Sequence, residues 1–558
     1  MANVYQLART SLPLLLLGVA LSLHAQTDCP ASPVLNARVL NVNNLRAEYW
    51  NAGDMWFDGS NTTTRFPADA ATSPLFSGGF WVSAYNADST QLYTGAQEYG
   101  RSRRAYDYAT GVIDPTTGEP APISPFCNLS TVTADEIARH LDDLADGSLD
   151  DPIDNVLLWP GEGNTSGLAD GYYGHELAPF VDANGNGVYE PTLGDYPKIA
   201  GDEAFWWAYL NDSNHPHTGS RPFGIELHTM VQARASSNPL VNGAHVFRAT
   251  AINQSDSTFR NLALSFFLDP DIGCYLDDSM GSIPEQGTVY AYNLEGEDGS
   301  FDPGCPGTEY EGTPPIAALK VLEIVAPGPV DTGAVAWINP SNEAGEPSAY
   351  QPPARGIPVT WFNRMHNLHD DGTPIAPDAE FGYDPNATAT TDWIYSGDAN
   401  GFTDCDRTTD NDVKLTLNVI LPGEFAPGER LVVDYALFMI EDVPSPCPDR
   451  GAIADRAAEV QRLFAGFVSS TEEAGAAFPT PGTLRLSPNP ASETVSLSLE
   501  GGEPLSSLKV VDALGRTTIA RTTETARIDV SSLPRGVYTV LGETLDGELS
   551  SARLVVER

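Results

Sequence analysis

The stretch Asp182-Ala183-Asn184-Gly185-Asn186-Gly187-Val188-Tyr189-Glu190 carries oxygen-bearing side chains at alternate positions, with Asp195 just beyond. Alternate positions turn inward when a loop wraps a hard cation that needs six to eight oxygens. Asp182, Asn184 and Asn186 fall at the first, third and fifth places, Gly187 at the sixth, and the Val188 carbonyl at the seventh. Glu190 and Asp195 complete the set in place of a twelfth-position Glu, so the spacing predicts a Ca2+ loop. Two Asn standing for Asp lower its charge and its affinity. The competing reading is an Asx-turn loop that holds itself together through its own backbone.

A second candidate is Asp269-Pro270-Asp271 with Asp277-Asp278, surrounding Cys274. Four carboxylates so close in sequence repel one another unless a cation binds them or water solvates them. Calcium and a solvated loop are equal readings here. A third run, Asp404, Asp406, Asp410 and Asp412, reads as a solvated turn ahead of a strand. The histidines form no comparable pattern. His215-Pro216-His217 with Glu226 and His228, or His366 and His369 beside Asp370-Asp371, lack the His-Glu-x-x-His spacing of a zinc helix. They read as structural or surface groups. There is no G-x-S-x-G elbow, reactive-cysteine signature or phosphate loop after a strand. A glycosidase needs only two placed carboxylates, and among 75 acidic residues the sequence nominates no pair.

The elements that must position these groups are mostly strands. Phe80 to Tyr85, Phe223 to Ala233, His245 to Asn253 and Asn261 to Leu268 alternate apolar and polar residues between turn signals. Val413, Leu415, Leu417, Val419 and Leu421 alternate cleanly, Pro427-Gly428 turns the chain, and Val433, Tyr435, Leu437 and Met439 alternate again. That pattern predicts a hairpin, as does the polar Gln254-Ser255-Asp256-Ser257 between two earlier strands. Trp50, Trp56 and Trp81 supply apolar area for a core rather than a sugar-binding row. Two helices interrupt the strands. Thr133-Ala134-Asp135-Glu136 is a capping box ahead of Ile137, Leu141 and Leu144. Asp449 to Phe467 places Ile453, Ala457, Val460, Leu463 and Phe464 on one side.

Composition narrows the partners. With 75 acidic residues against 30 basic, the formal charge is −45, and four residues are lysine. Such a surface repels nucleic acid and anionic membranes, and suits saline surroundings or divalent cations. Arg9, the apolar run from Leu12 to Leu23 and a cut after Ala25 predict a secretory leader. No later stretch approaches the ~20 apolar residues of a spanning helix. Six cysteines outside any C-x-x-C spacing predict disulfides in an oxidising compartment. Cys274 and Cys305, nearest in sequence, are the first expected pair.

The last stretch has its own grammar. Ser487-Pro488-Asn489-Pro490-Ala491 opens it, Leu508 to Asp512 leads into Gly515-Arg516, and Leu533-Pro534-Arg535-Gly536-Val537-Tyr538 precedes the terminal strand Ala552 to Val556. Short strands at this spacing predict a small antiparallel sandwich. In order and spacing these motifs resemble the C-terminal (type A) sorting domain of type IX secretion cargo in Bacteroidota. The resemblance implies that Pro488, Asn489, Pro490, Gly515, Arg516, Gly536 and Tyr538 carry the sorting motif. It implies export through periplasm and outer membrane, and recognition by the secretion machinery there. In the larger region, Asn43-Asn44-Leu45-Arg46-Ala47, Phe76-Ser77-Gly78-Gly79-Phe80-Trp81, Trp159-Pro160 and Gly194-Asp195-Tyr196-Pro197 resemble landmarks of secreted Bacteroidota proteins with no established activity.

The expected architecture is mainly β. A leader (1–25) precedes a large β-sandwich body (26–468) of one or two subdomains with a few short helices. A small, acidic, Pro-containing linker (469–482) joins it to an immunoglobulin-like sandwich (483–558). The expected function is that of a secreted or cell-surface protein, calcium-stabilised and adhesive or structural, with a glycan or protein ligand. The alternative is a secreted polysaccharide hydrolase using paired carboxylates.

Overall fold

The computed structural model describes residues 37–465 apart from 52, 100–105, 114–128, 165–176, 212–214, 297, 299–304, 306–308, 311, 340–352, 398–404 and 406–411. It also describes 484–556 apart from 488, 490, 493, 500–504, 512–516, 522–526, 532 and 545–548. The expected leader and linker, Cys29, Cys127, Asp404, Asp406, Asp410, Pro488, Pro490, Gly515 and Arg516 lie outside these residues. Residues 1–461 and 462–558 form two compact units. Among the described residues, no helix is long and apolar enough to cross a membrane.

Long strands build the first unit: β1 (Ser77–Asn86), β2 (Glu203–Leu210), β3 (Ile225–Ala233), β4 (Ala244–Asn253), β5 (Phe259–Asp269), β6 (Asp278–Ile283), β7 (Thr288–Asn293), β8 (Ile316–Val325), β9 (Asp331–Asn339), β10 (Asp412–Phe425) and β11 (Arg430–Ile440). A nine-stranded sheet runs β6-β7-β8-β11-β4-β3-β2, with the short strands Ala109–Thr110 and Ser130–Thr133 both paired to β2. A six-stranded sheet runs β9-β10-β5-β1, with Asp54–Met55 and Leu92–Gly95 both on β1. Pairing within both is antiparallel.

Both expected hairpins are instead arches. β10 pairs with β5 and β9, whereas β11 pairs with β4 and β8 in the other sheet. β4 and β5 divide between the sheets in the same way. Alternation records which side chains point inward, and that pattern is identical whether the next strand pairs beside the first or crosses over it. Residues 426–429 make the crossing as a tight turn, with the Glu429 N–H donating to the Ala426 carbonyl at 3.0 Å. Asn253 at the end of β4 ties it down: its carbonyl accepts from the Gly428 N–H at 2.8 Å, and its Nδ2 donates to the Phe425 carbonyl at 2.9 Å. The inward rows then meet face to face. Phe80 and Phe266 from one sheet stand 4.5 Å apart between ring centroids, and Phe266 meets Phe247 at 5.2 Å and Tyr435 at 5.4 Å from the other. Trp56 joins this core at 0 % exposure. Gly78 lies against its ring, where an added Cβ would stand 2.4 Å from the nearest ring carbon.

The outer faces are also roofed. Helix α1 (Ala134–Asp143) starts at the expected capping box: Thr133 Oγ1 accepts from Glu136 N–H at 3.2 Å, and Glu136 Oε2 accepts from Thr133 N–H at 2.8 Å. Its Ile137 packs with Val156, Trp159, Tyr189 and Trp206 over the nine-stranded sheet. On the other side, helix α2 (Pro358–Met365) lays Trp361 and Met365 on Trp81, Phe267 and Trp337 of the six-stranded sheet. Helix α3 (Arg450–Leu463) buries Ile453, Ala457 and Val460, one expected face. Disulfides join Cys274 to Cys305 and Cys405 to Cys447.

Buried His245 gives the first unit a marked acid sensitivity. Its Nδ1 lies 2.7 Å from the Tyr49 hydroxyl, and burial lowers its pKa to about 3. A depressed folded-state pKa means the unfolded chain takes up the proton first as pH falls. Stability is therefore whole above the ordinary value near 6.5 and is lost progressively toward 3, about 2–3 kcal/mol by ~pH 4.5. Burial lowers the His366 pKa to about 3 as well. Urea titrations should therefore show a shallower acid slope in His245→Gln than in the wild type, the remainder belonging to groups such as His366.

In the second unit, β12 (Leu484–Ser487), β13 (Thr494–Leu499) and β16 (Arg527–Asp529) make one sheet, and β15 (Thr517–Arg521), β14 (Leu505–Val511), β17 (Gly536–Thr544) and β18 (Leu549–Val556) the other. Its core includes Val495, Leu497, Val510, Ile528, Leu533, Tyr538, Val540 and Leu554. The Leu533-to-Tyr538 motif has a physical reason. Leu533 and Tyr538 seat in the core, while the Tyr538 hydroxyl returns to the Pro534 carbonyl at 2.8 Å, closing the corner into β17.

Candidate functional site

The loop from Asp182 to Asp195 closes on itself. Asp182 accepts backbone N–H bonds from Gly185 at 2.7 Å and Gly187 at 2.6 Å. Asn184 Oδ1 accepts from Asn186 N–H, and Asn186 Oδ1 from Val188 N–H. Their amide groups both donate to Glu190 Oε2, at 3.2 Å and 2.5 Å. Gly185 and Gly187 supply the positive φ that the tight wrap requires, at 74° and 75°. Buried Asp195 is the clasp: its two oxygens accept from Ala183 N–H at 2.8 Å and Glu190 N–H at 2.7 Å. Burial, and then the charges of Asp182 and Glu190, raise the Asp195 pKa. The six predicted residues are thus brought to one loop whose exposed rim carries carboxylate and amide oxygens. His140 of α1 anchors the far side through the Pro191 carbonyl at 2.9 Å.

The second candidate divides into two adjoining groups at one end of the sandwich. At the end of β5, carboxylate oxygens of Asp269, Asp271 and Asp412 lie within 4.8 Å of one another, twice a typical Ca2+–oxygen distance. Lys414 already stands there, its Nζ 3.0 Å from Asp269 and 2.6 Å from Asp412. The Tyr99 hydroxyl donates to Asp269 Oδ2. Burial raises the Asp269 pKa to about 6, opposed by Lys414 and reinforced by Asp412. Burial, then Asp269 and Asp412, hold Asp271 well above the ordinary range. Asp412 is therefore part of a packed cluster, its side chain 13 % exposed, and not the solvated turn expected of its run.

In the adjoining group, Asp278 receives the Ile272 N–H, and Asn293 Nδ2 donates to Asp277 at 3.0 Å and Asp298 at 3.2 Å. Asp298 also accepts the Cys274 and Tyr310 N–H groups. Burial, then Asp298 and Glu295, push Asp277 up to about 7. Tyr99, Asp298, Asp412 and Lys414 were not legible as partners of this site. The one available signal was that Asp269 ends a strand and Asp412 begins one.

The histidines split between two structural networks. His215 Nδ1 lies 2.7 Å from the Thr94 carbonyl, and the His217 ring is tilted against Trp361 at 4.6 Å between centroids while Arg355 reaches its Nδ1 at 2.9 Å. Glu226 and His228 pair at 2.6 Å on β3, with Glu226 also accepting the Ile113 N–H. Among the described residues, neither network brings three metal-capable groups together. A hollow of about 70 Å³ beside β6 and β7 is walled by Tyr290, Tyr292 and Tyr395, and its one charged lining residue is Arg450.

Comparison with known proteins places a family only at the end of the chain. Residues 485–557 match the secretion system C-terminal sorting domain. No protein with a curated description matches the sequence. Similar solved structures include a polysaccharide lyase at 9% identity and TM-score 0.17, over 68% of this chain and 38% of that one. Another is PorZ, a bacterial surface component of the type-IX secretion system of Porphyromonas gingivalis, at 10% identity and TM-score 0.13, over 96% and 57%. A third is the lysyl oxidase of Pichia pastoris, at 9% identity and TM-score 0.17, over 71% and 51%. The chain thus spans between about two fifths and three fifths of the length of these proteins, and at such scores the likenesses carry no argument.

Proposed function

We propose that this chain, a type IX secretion cargo sent to the cell surface or beyond by the sorting domain at residues 485–557, serves there as a calcium-stabilised adhesive or structural protein. The observation that carries this reading is the Asp182–Asp195 loop. It gathers Asp182, Glu190 and Asp195 closely enough that the first two raise the pKa of the third. A Ca2+ ion held by Asp182, Asn184, Asn186, the Val188 carbonyl and Glu190 would relieve that repulsion. Of the second candidate set (Asp269, Asp271, Asp277 and Asp278), Asp269 and Asp271 meet Asp412 at a position that Lys414 fills with its own charge, so the Asp182 loop is the better place for the ion.

The acidic surface supports the same reading. A net charge of −45 suits a medium in which salt and divalent ions screen self-repulsion. The test is a glycan and protein binding array probed with the exported protein, in Ca2+ and in chelator. Ligand capture in Ca2+ that falls in chelator supports the proposal. Steady turnover of a polysaccharide by the same preparation would overturn it in favour of a hydrolase.

A further inference from the structure

We infer that the hollow beside β6 and β7 binds the acetamido group of an N-acetylated amino sugar. The inference rests on the adhesive reading above and gives it a place and a ligand class. Tyr290 and Tyr292 lie two apart on β7 and share one face of the sheet. Tyr290 faces Gly281 of β6 across the ladder, where an added Cβ would stand 2.2 Å from its hydroxyl oxygen, so a side chain there would displace the ring. Tyr395 closes a third side with a backbone φ of 48°, a region that bulky residues rarely occupy. The Ser282 N–H donates to the Tyr395 carbonyl at 3.1 Å, and the Tyr395 hydroxyl accepts the Phe381 N–H at 2.9 Å, which hold the ring in place. The Cys405–Cys447 disulfide supplies a fourth wall, with Cys405 Sγ 3.2 Å from the Tyr292 hydroxyl. The three tyrosines are at most 6 % exposed, so they wall an interior space and do not form a surface row.

The chemistry of these walls selects the ligand. Aromatic walls with few polar groups take a small, mostly apolar group that a hydrogen bond fixes in orientation. The charged group is Arg450, the first residue of α3. Its Nε is buried without an acceptor among the described residues, while its Nη2 pairs with Glu285 at 2.9 Å. That carboxylate already neutralises the guanidinium, and a chain of net charge −45 repels anions, so the acceptor that suits the Nε–H is a neutral oxygen.

Size narrows the class further. The hollow of about 70 Å³ has room for about five waters at ~15 Å³ each, too little for a pyranose ring but enough for an acetamido group. The acetyl methyl meets the tyrosine rings, and the acetyl carbonyl oxygen accepts from Arg450 Nε–H. The sugar ring stays at the mouth, where the Arg450 and Glu285 side chains are 32 % and 53 % exposed and offer donors and an acceptor to its hydroxyls.

Saturation-transfer NMR on the exported full-length protein in Ca2+ tests this with free N-acetylglucosamine, glucose and N-acetyl-lysine amide. N-acetylglucosamine should bind at about millimolar affinity, the range so small a contact supports, with its acetyl methyl the most strongly saturated group. Glucose should bind at least about tenfold more weakly. Arg450→Lys keeps the charge beside Glu285 but lacks the Nε donor, and should weaken binding about tenfold while melting as the wild type does. Gly281→Ala, which displaces the Tyr290 ring, should abolish binding. Glucose binding as well as N-acetylglucosamine, or an acetyl methyl without the largest saturation, would overturn the acetamido assignment. N-acetyl-lysine amide binding as tightly would overturn the sugar, and full binding by Arg450→Lys would overturn the site. The two proposals fail separately: methyl contact without any capture on the array counts against the adhesive reading alone. Ca2+-dependent capture of glycans lacking an acetamido group, with no methyl contact, counts against the hollow alone.

Discussion

Cells expressing the chain without residues 483–558 should retain it in the periplasm, with the surface and extracellular fractions falling to background. The body should remain folded there, because its inter-sheet core is complete within residues 1–461. The second unit has a separate core of its own, which gives the recognition machinery a folded object rather than a bare peptide. Tyr538→Ala in the full chain should have nearly the same effect. Tyr538 is 6 % exposed, and truncating an aromatic in a core costs about 3–5 kcal/mol, comparable to the whole stability of so small a domain. Fractionation with protease shaving of intact cells reads both. Normal display of either variant would contradict the role given to this domain.

The second large effect is expected at Arg364, a guanidinium buried at 0 % exposure under α2. Its Nε meets Asp370 at 2.7 Å, Nη1 reaches the Ala336 carbonyl at 3.2 Å, and its carbon lies 5.3 Å from the Trp337 ring centre. Its backbone carbonyl accepts from Asn418 of β10 at 2.9 Å, so the side chain and the main chain both tie α2 to the sheet. Burial already raises the Asp370 pKa to about 6 despite the arginine. Removing the arginine alone should destabilise the body by about 3–5 kcal/mol, since it strands Asp370 without its cation. Pairing Arg364→Met with Asp370→Leu should recover most of that loss. Denaturant melts of the single and double variants decide this: equal stability of Arg364→Ala and wild type would show the pair to be inert.

Local features of this fold were legible in the sequence because their causes are local. The capping box at Thr133, the helical face of Ile453, Ala457 and Val460, and the strand alternation around Leu415 and Leu437 each depend on neighbours a few residues away. The pairing of Cys274 with Cys305 followed from proximity in sequence. Partner choice between strands was not legible. β10 and β11 show the same alternation whether they form a hairpin or an arch, and only the competition among all strands for edges decides it. The same gap hid the cluster at Asp269. Its Asp412 and Lys414 arrive through the β5–β10 register, which no pattern within either segment encodes. The Asp182 loop was visible because all six of its residues lie in one short stretch. Its sequence pattern serves an Asx-turn clasp and a cation loop equally, and the observed bonds satisfy the first without opposing the second.

Calcium dependence of melting tests the central claim most directly. The exported protein, first stripped with chelator, is titrated with Ca2+ while its thermal unfolding is followed, beside Asp182→Ala. The account predicts a saturable rise in melting temperature for the wild type, equivalent to about 2–3 kcal/mol at a hundredfold excess over the dissociation constant. That rise should be smaller or absent in Asp182→Ala. A wild type whose melting is indifferent to Ca2+, or a variant that responds as fully as the wild type, would contradict it.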